Sequence, residues 1–321
     1  VKIENKDITF VIQGKIDYDG EVNITKKLVD SIVKFFPRTK IIVSTWSFHS
    51  AINQCVDQFI VNDDPGIIDT NNKYLVNYNR MVVSTSNGLR NVKTKYAVKV
   101  RSDFWFESKS DFIKIYEDKE NKLKYKHIGV NQHIMMCMGV NPLPIMPYLI
   151  SDLWQFGLCD DLILLWEEAE FDPERLGNYS RTKHWYKKLY QLSASPSDMN
   201  APFNSEQLLC ENIAKKLNII FPLDYRKNSS FFNLVKSYKS MSGIFTTIPR
   251  QYLNMSSKKH ESKTNENRLL DSQLWDLANK ANQNKSKSFL FHALLALRML
   301  MFLKGLVTRK LLSKLKQEKY D

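Results

Sequence analysis

Arg101, Ser102 and Asp103 stand together at the end of a short apolar run, Tyr96-Ala-Val-Lys-Val100. A carboxylate at such a strand end can hold a divalent metal, Mn or Mg, that bridges a diphosphate, or it can bond a sugar hydroxyl. The Arg beside it can balance phosphate charge directly. The same Asp could equally cap a turn. Asp63 and Asp64, in Asp63-Asp-Pro-Gly66, could hold a base or a ribose, although their composition favours an Asx-type turn. Asp152 and Glu206 are acids on or near loops, and either could act as a general base on a hydroxyl acceptor. His184, in Lys183-His-Trp-Tyr186, reads as a surface or stacking residue.

The elements that must position these side chains can be read from hydrophobic spacing. Ile8 to Gln13 reads as a buried strand ending at Gly14, and Thr25 to Phe36 has helical spacing stopped by Pro37. Lys40 to Thr45 and Gln58 to Val61 are further strands, Tyr78 to Asn91 a helix, and Tyr96 to Val100 a fourth strand. Strands alternating with helices predict an α/β fold, a mostly parallel sheet covered by helices. Ligands of such sheets bind outside the carboxyl ends of the strands. Gln13-Gly14, Thr45-Trp46, Asp63-Asp64 and Arg101-Ser102-Asp103 all fall at those ends. Further on, His133 to Met138 and Pro147 to Ile150 are expected as strands, and Asp160 to Glu170 and Ser205 to Leu217 as helices. Ser193 to Asn204 reads as a loop. Lys258 to Asn267 has no apolar residue and reads as part of a linker. The expected division is a domain over 1–255, a linker over 256–284 and a basic helical segment over 285–321.

Composition narrows the classes. With 43% hydrophobic and 25% charged residues, the 321-residue chain has ordinary globular usage. Neither GxGxxG nor GxxxxGK[ST] occurs, which removes the dinucleotide fingerprint and the P-loop. The four cysteines lack CxxC spacing, which argues against structural zinc and for a reducing compartment. Of the net charge of +13, a local +7 lies between Lys285 and Asp321, interleaved with Phe289-Leu-Phe-His-Ala-Leu-Leu-Ala-Leu and Met299-Leu-Met-Phe-Leu. Arg298 and Lys304 interrupt this run too early for a bilayer span. On a helical wheel Lys287, Arg298, Arg309 and Lys316 fall within roughly 40° of one another, a basic stripe suited to an anionic membrane surface over residues 285–316. The competing reading is a helix packed on its own domain or on a second copy of the chain. No nucleic-acid motif is present.

Thr9-Phe-Val-Ile-Gln-Gly14, Ile42-Val-Ser-Thr-Trp46, Asp63-Asp-Pro-Gly66, Asn79-Arg80 with Ser84-Thr-Ser-Asn-Gly-Leu89, Lys95-Tyr-Ala-Val-Lys-Val-Arg-Ser-Asp103 and Ser151-Asp-Leu-Trp-Gln-Phe-Gly157 come in an order that resembles the WavE family. These are bacterial lipopolysaccharide- and capsule-synthesis glycosyltransferases. The resemblance runs from about Ile8 to about Leu217. It implies a GT-A-like enzyme, with a single Rossmann-type sheet and a C-terminal helical extension, that moves a sugar from a nucleotide diphosphate donor to a glycan or lipid-linked glycan. Donor binding would then fall on Gln13, Gly14, Thr45, Trp46, Asp63, Asn79, Arg80, Arg101 and Asp103. Asp152 or Glu206 would serve as the base, with Asp152 favoured because Trp154 and Phe156 could stack on the acceptor sugar. Arg101-Ser-Asp103 stands where related enzymes have Asp-x-Asp. Asp103 is therefore the metal-ligand candidate, and the need for Mn or Mg is left open. The expected place of work is cytoplasmic, peripheral on the inner membrane. The alternatives are a sugar-phosphate transferase and a non-catalytic, membrane-associated scaffold of polysaccharide assembly.

Overall fold

A computed structural model describes residues 2–67, 77–137, 148, 150–170, 205–220, 231–257 and 267–317, with backbone alone at 205, 267–271 and 302–317. In chain order its strands are β1 (Ile8–Gln13), β2 (Tyr18–Asp19), β3 (Val22–Asn23), β4 (Lys40–Thr45), β5 (Gln58–Val61), β6 (Tyr96–Arg101), β7 (Phe104–Phe106), β8 (Ile134–Cys137), β9 (Trp154–Leu158), β10 (Phe245–Ile248) and β11 (Met255–Ser257). Its helices are α1 (Ile24–Phe35), α2 (Ser50–Asn53), α3 (Tyr78–Arg90), α4 (Phe112–Lys122), α5 (Cys159–Trp166), α6 (Ser205–Lys216), α7 (Phe231–Met241), α8 (Asn267–Ala281) and α9 (Lys285–Gln317).

Seven strands form the central sheet in the order β10-β8-β9-β6-β1-β4-β5. All neighbouring pairs are parallel except the two made by β9, which runs against β6 and β8. This is the mostly parallel α/β sheet that the alternation predicts. The reversed strand has a direct consequence. The start of β9 lies on the edge where the parallel strands finish, so residues just before Trp154 meet residues just after Val100.

Side-chain alternation sorts the two faces. Phe10, Ile12, Val98, Val100, Trp154 and Phe156 pack with Leu28 and Ile32 of α1 and Phe112 and Tyr116 of α4. Val11 and Ala97 face the other layer, with Val82 and Leu89 of α3, Leu162 and Trp166 of α5 and Leu209 and Ile213 of α6. Helix α3 lies close on β1: a Cβ on Gly88 would stand 2.4 Å from Val11 Cγ1, so only glycine admits this approach. Asn23 starts α1 by accepting from the Lys26 backbone N–H at 2.9 Å.

The structure corrects three expectations. Ile150 lies outside any strand and Tyr148 sits in a turn, while Pro147 and Leu149 lie outside the described residues. Both described residues belong to the α3–α5 core, so their apolar character reflects burial without strand pairing. The segment read as a linker over 256–284 contains the end of β11 and all of α8. Leu274, Ala278 and Ala281 recur at helical spacing and pack on Leu234 and Val235 of α7 and on Phe291 and Leu295 of α9. The basic stripe is also interrupted: Arg298 is only 5% exposed, on the packed side of α9. Among the described side chains of α9, Phe289 is 79%, Leu297 49% and Leu300 63% exposed, beside the exposed Lys285 and Lys287 of its first turn. Residues 171–204, with His184 and the expected loop, lie outside the described residues, as do 258–266.

Candidate active site

The site begins with β6. Lys99 and Arg101 alternate with Val98 and Val100 and therefore project on the α3–α5 face, beyond Ala97. Gln13 is the register partner of Arg101 on β1, and Gln155 that of Lys99 on β9. Four polar side chains thus occupy one face of three adjacent strands near a common edge. Ser84, in the second turn of α3, donates to Gln13 Oε1 at 3.2 Å. The Trp166 indole N–H donates to Gln155 Oε1 at 2.7 Å.

Arg101 is the centre of this cluster. Its Nε donates to Asp103 Oδ1 at 3.0 Å and its Nη2 to Asp103 Oδ2 at 2.8 Å, a two-pronged pair. Its Nη1 lies 3.8 Å from Asp152 Oδ2. Burial works against the guanidinium charge, but the bonds to Asp103 and the charges of Asp152, Asp103 and Glu206 outweigh it and raise its pKa further. Arg101 is a permanent cation. The reason Asp152 reaches it is the reversed strand: Arg101 N–H donates to Leu153 O at 3.3 Å, which sets the entry to β9 against the exit of β6.

Lys99 lies beneath, fully buried. Its ammonium donates to the main-chain carbonyl of Asp152 and stands 4.8 Å from the Trp166 ring centroid. Burial pulls its pKa down to about 8, opposed by the charge of Asp152 and reinforced by that of Arg101. Asp103 and Glu206 also act on it, which places Glu206 within electrostatic reach of both cations.

Gly14 takes φ +118° at the end of β1, and a Cβ there would stand 2.9 Å from Ser102 Oγ. Ser102 ties the two strand ends together, donating from its N–H to Gln13 O at 3.0 Å and from its hydroxyl to Lys15 O at 2.6 Å. Thr45 is buried, on the alternation of Ile41 and Val43, which belong to the α1 layer. Trp46 is half-buried just beyond it. Asp63 is exposed, and its neighbour Asp64 is the residue that engages α3. Asp64 accepts from Arg80 Nε at 2.7 Å and Nη2 at 2.5 Å and from the Gly66 N–H at 3.0 Å. That bond to Arg80 holds the Asp64 carboxyl below its usual range. Asn79 is half-buried one position earlier on the same helical turn.

Trp154 and Phe156 do not face an acceptor. They are 1% and 0% exposed, with the Phe112 ring 5.3 Å from Trp154 and 4.9 Å from Phe156. Period-two alternation puts both on the α1–α4 face, opposite to Lys99 and Gln155. The sequence reading missed Lys99, Ser84 and Gln155 as members of the site. The available signal was a lysine between Val98 and Val100 in a strand covered on both faces.

The residues at the strand end do not fit a divalent ion. Among the described residues no group of three or more His, Cys, Asp or Glu could hold a metal. Both oxygens of Asp103 are already engaged by one guanidinium. A further unit charge about 4 Å from that cation would meet roughly 4 kcal/mol of repulsion at an effective dielectric near 20. A surface cleft of about 650 Å³ lined by α4 and α8 holds none of these residues, and its Lys119 and Asp276 pair with each other at 2.6 Å.

The mostly parallel sheet makes this an α/β protein, and its polar side chains gather at the carboxyl edge, where sheets of this kind bind their ligands. Residues 8–299 match the WavE lipopolysaccharide synthesis family, and the chain belongs to it. That match reaches past α6 to include α7, α8 and the first half of α9. No curated protein sequence matches. Among solved structures, TarS of S. aureus is similar over 93% of this chain and 54% of its own, at 8% identity and a TM-score of 0.35. The 4-diphosphocytidyl-2C-methyl-D-erythritol synthase of Anaerococcus prevotii is similar over 55% of this chain and 84% of its own, at 11% identity and a TM-score of 0.32. HddC of Yersinia pseudotuberculosis is similar over 49% and 78%, at 9% identity and a TM-score of 0.29.

Proposed function

We propose that this chain is a nucleotide-sugar-dependent glycosyltransferase of GT-A type that extends a bacterial surface glycan, lipopolysaccharide or capsule. The observation that carries the reading is the gathering of Arg101, Asp103 and Asp152 at the carboxyl edge of the sheet, with Glu206 in reach of the same cation. Arg101 faces the diphosphate of the donor, and Gln13 with Ser84 lines the adjoining strand end. The acceptor hydroxyl gives its proton to Glu206 or Asp152 while its oxygen bonds the anomeric carbon. The sugar–phosphate bond breaks, and the electron pair leaves with the nucleoside diphosphate beside Arg101.

The acceptor is a glycan or a lipid-linked glycan, which places the enzyme on the cytoplasmic face of the inner membrane. Among the described residues no helix is long and apolar enough to cross a membrane. The exposed apolar face of α9, in the stretch that carries +7 of the net charge, supports peripheral docking on anionic lipid.

Melting temperature measured against a panel of nucleotides and nucleotide sugars tests the donor. A hundredfold excess over Kd stabilises the folded state by about 2.7 kcal/mol. The reading expects a shift with one nucleotide diphosphate sugar and with its nucleoside diphosphate, and release of that diphosphate on turnover. Release of the monophosphate would indicate phosphosugar transfer instead. No shift with any nucleotide would leave a non-catalytic scaffold.

A further inference from the structure

We propose that the guanidinium of Arg101 occupies the place of a divalent cation at this strand end, so that the chain binds a nucleoside diphosphate without metal. The inference rests on the donor reading above and deepens it. Asp103 spends both oxygens on one guanidinium, at 3.0 and 2.8 Å, in the planar fork geometry of an arginine–carboxylate pair. Asp152 approaches a third nitrogen at 3.8 Å, so two carboxylates from separate segments fix the orientation of one cation. The Arg101 side chain keeps 27% of its surface exposed, whereas Asp103 keeps 5% and Asp152 7%. What this cluster presents to a ligand is therefore the cation, with the acids behind it.

Lys99 adds a second positive charge two residues earlier on the same face, against the backbone of Asp152. A metal ion at Asp103 or Asp152 would have to sit beside both. A diphosphate meets the opposite field. In this arrangement Asp103 is a positioning residue for Arg101, and its carboxylate does not touch the ligand.

The test uses the whole 321-residue chain and UDP, GDP, CDP and ADP as separate probes, each titrated in EDTA and in Mn²⁺. The expected result is that at least one binds, with Kd values in the two media agreeing within about threefold. Arg101→Ala should weaken that binding at least tenfold, and Arg101→Lys, which keeps the charge and loses the fork, by an intermediate factor. Arg101→Asp places two carboxylates at the strand end and should make the remaining binding depend on Mn²⁺, a change that loss of structure cannot produce. If the substituted chains do not fold, the comparison of EDTA with Mn²⁺ on the unaltered chain still decides. Binding at least tenfold tighter in Mn²⁺ would overturn the inference and leave the nucleotide-sugar reading intact. Failure of every probe in both media would overturn the two together.

Discussion

The buried ammonium of Lys99 donates to the main-chain carbonyl of Asp152, joining a strand to the segment that leads into its antiparallel neighbour. Lys99 lies on β6 and Asp152 just before β9, and the antiparallel pairing of those strands is what brings them together. The contact holds in place the acid that, with Asp103, orients Arg101.

This lysine makes stability depend on pH in a defined direction. Burial is the main cause that lowers its folded-state pKa to about 8, from an ordinary 10.5. Between those values the unfolded chain binds the proton and the folded chain does not, so stability rises as pH increases from about 8 to about 10.5. Below pH 8 the full penalty applies, about 3 kcal/mol at 1.36 kcal/mol per pKa unit. We predict that Lys99→Met flattens this part of the pH–stability curve, measured by denaturant melts. Equal slopes in the two proteins across that window would show that Lys99 does not titrate there.

A second prediction concerns the aromatic pair on β9. Phe156 is fully buried, with the Tyr116 ring centroid at 4.8 Å and that of Phe112 at 4.9 Å. Phe156→Ala should cost roughly 3–5 kcal/mol of stability. The KM for acceptor should stay within twofold in whatever fraction remains folded. A large rise in acceptor KM without loss of stability would return Phe156 to the acceptor site.

Much of the frame is legible in the sequence because it is built from local patterns. β1, β4 and β5 are each built on a three-residue apolar run, Phe10-Val-Ile12, Ile41-Ile-Val43 and Phe59-Ile-Val61, and the stop of α1 before Pro37 follows from the missing N–H of proline. The carboxyl-edge location of Gln13 and Arg101 then follows from strand direction alone. What the pattern does not carry is non-local pairing. Trp154-Gln-Phe-Gly157 looks like an aromatic stretch beside an acid, and nothing local says that it enters the sheet against β6. Once it does, Trp154 and Phe156 belong to the core and Asp152 to the site. Lys99 was hidden for the opposite reason: a single lysine in an apolar strand is unremarked until both faces of that strand are covered.

The two candidate bases should separate kinetically. Asp152 is buried against two cations, while Glu206 is half-buried in the first turn of α6. We predict that Glu206→Gln lowers kcat by about 10²–10⁴, the usual worth of a general base, with donor Kd changed less than threefold. Asp152→Asn should instead weaken donor binding, because it loosens Arg101. A Glu206→Gln enzyme with unaltered kcat would move the base to Asp152.

The last prediction tests the membrane role of α9. Phe289, Leu297 and Leu300 lie on one solvent-facing arc, opposite to Phe291 and Leu295, which are buried against α7 and α8. Removing the whole helix would uncover that core, so truncation would confuse unfolding with loss of docking. Changing Phe289, Leu297 and Leu300 together to Ser leaves the packed side untouched and should shift stability little, as exposed positions do. With vesicles containing anionic lipid, the unaltered chain should co-sediment and the triple variant should not. Binding should weaken with salt as the screening length falls from about 10 Å at 0.1 M to about 3 Å at 1 M. A second copy of the chain is the competing occupant of this face. If sedimentation equilibrium showed a dimer that the triple variant dissolves, while neither protein bound vesicles, the face would be an oligomer contact and the membrane role would fall.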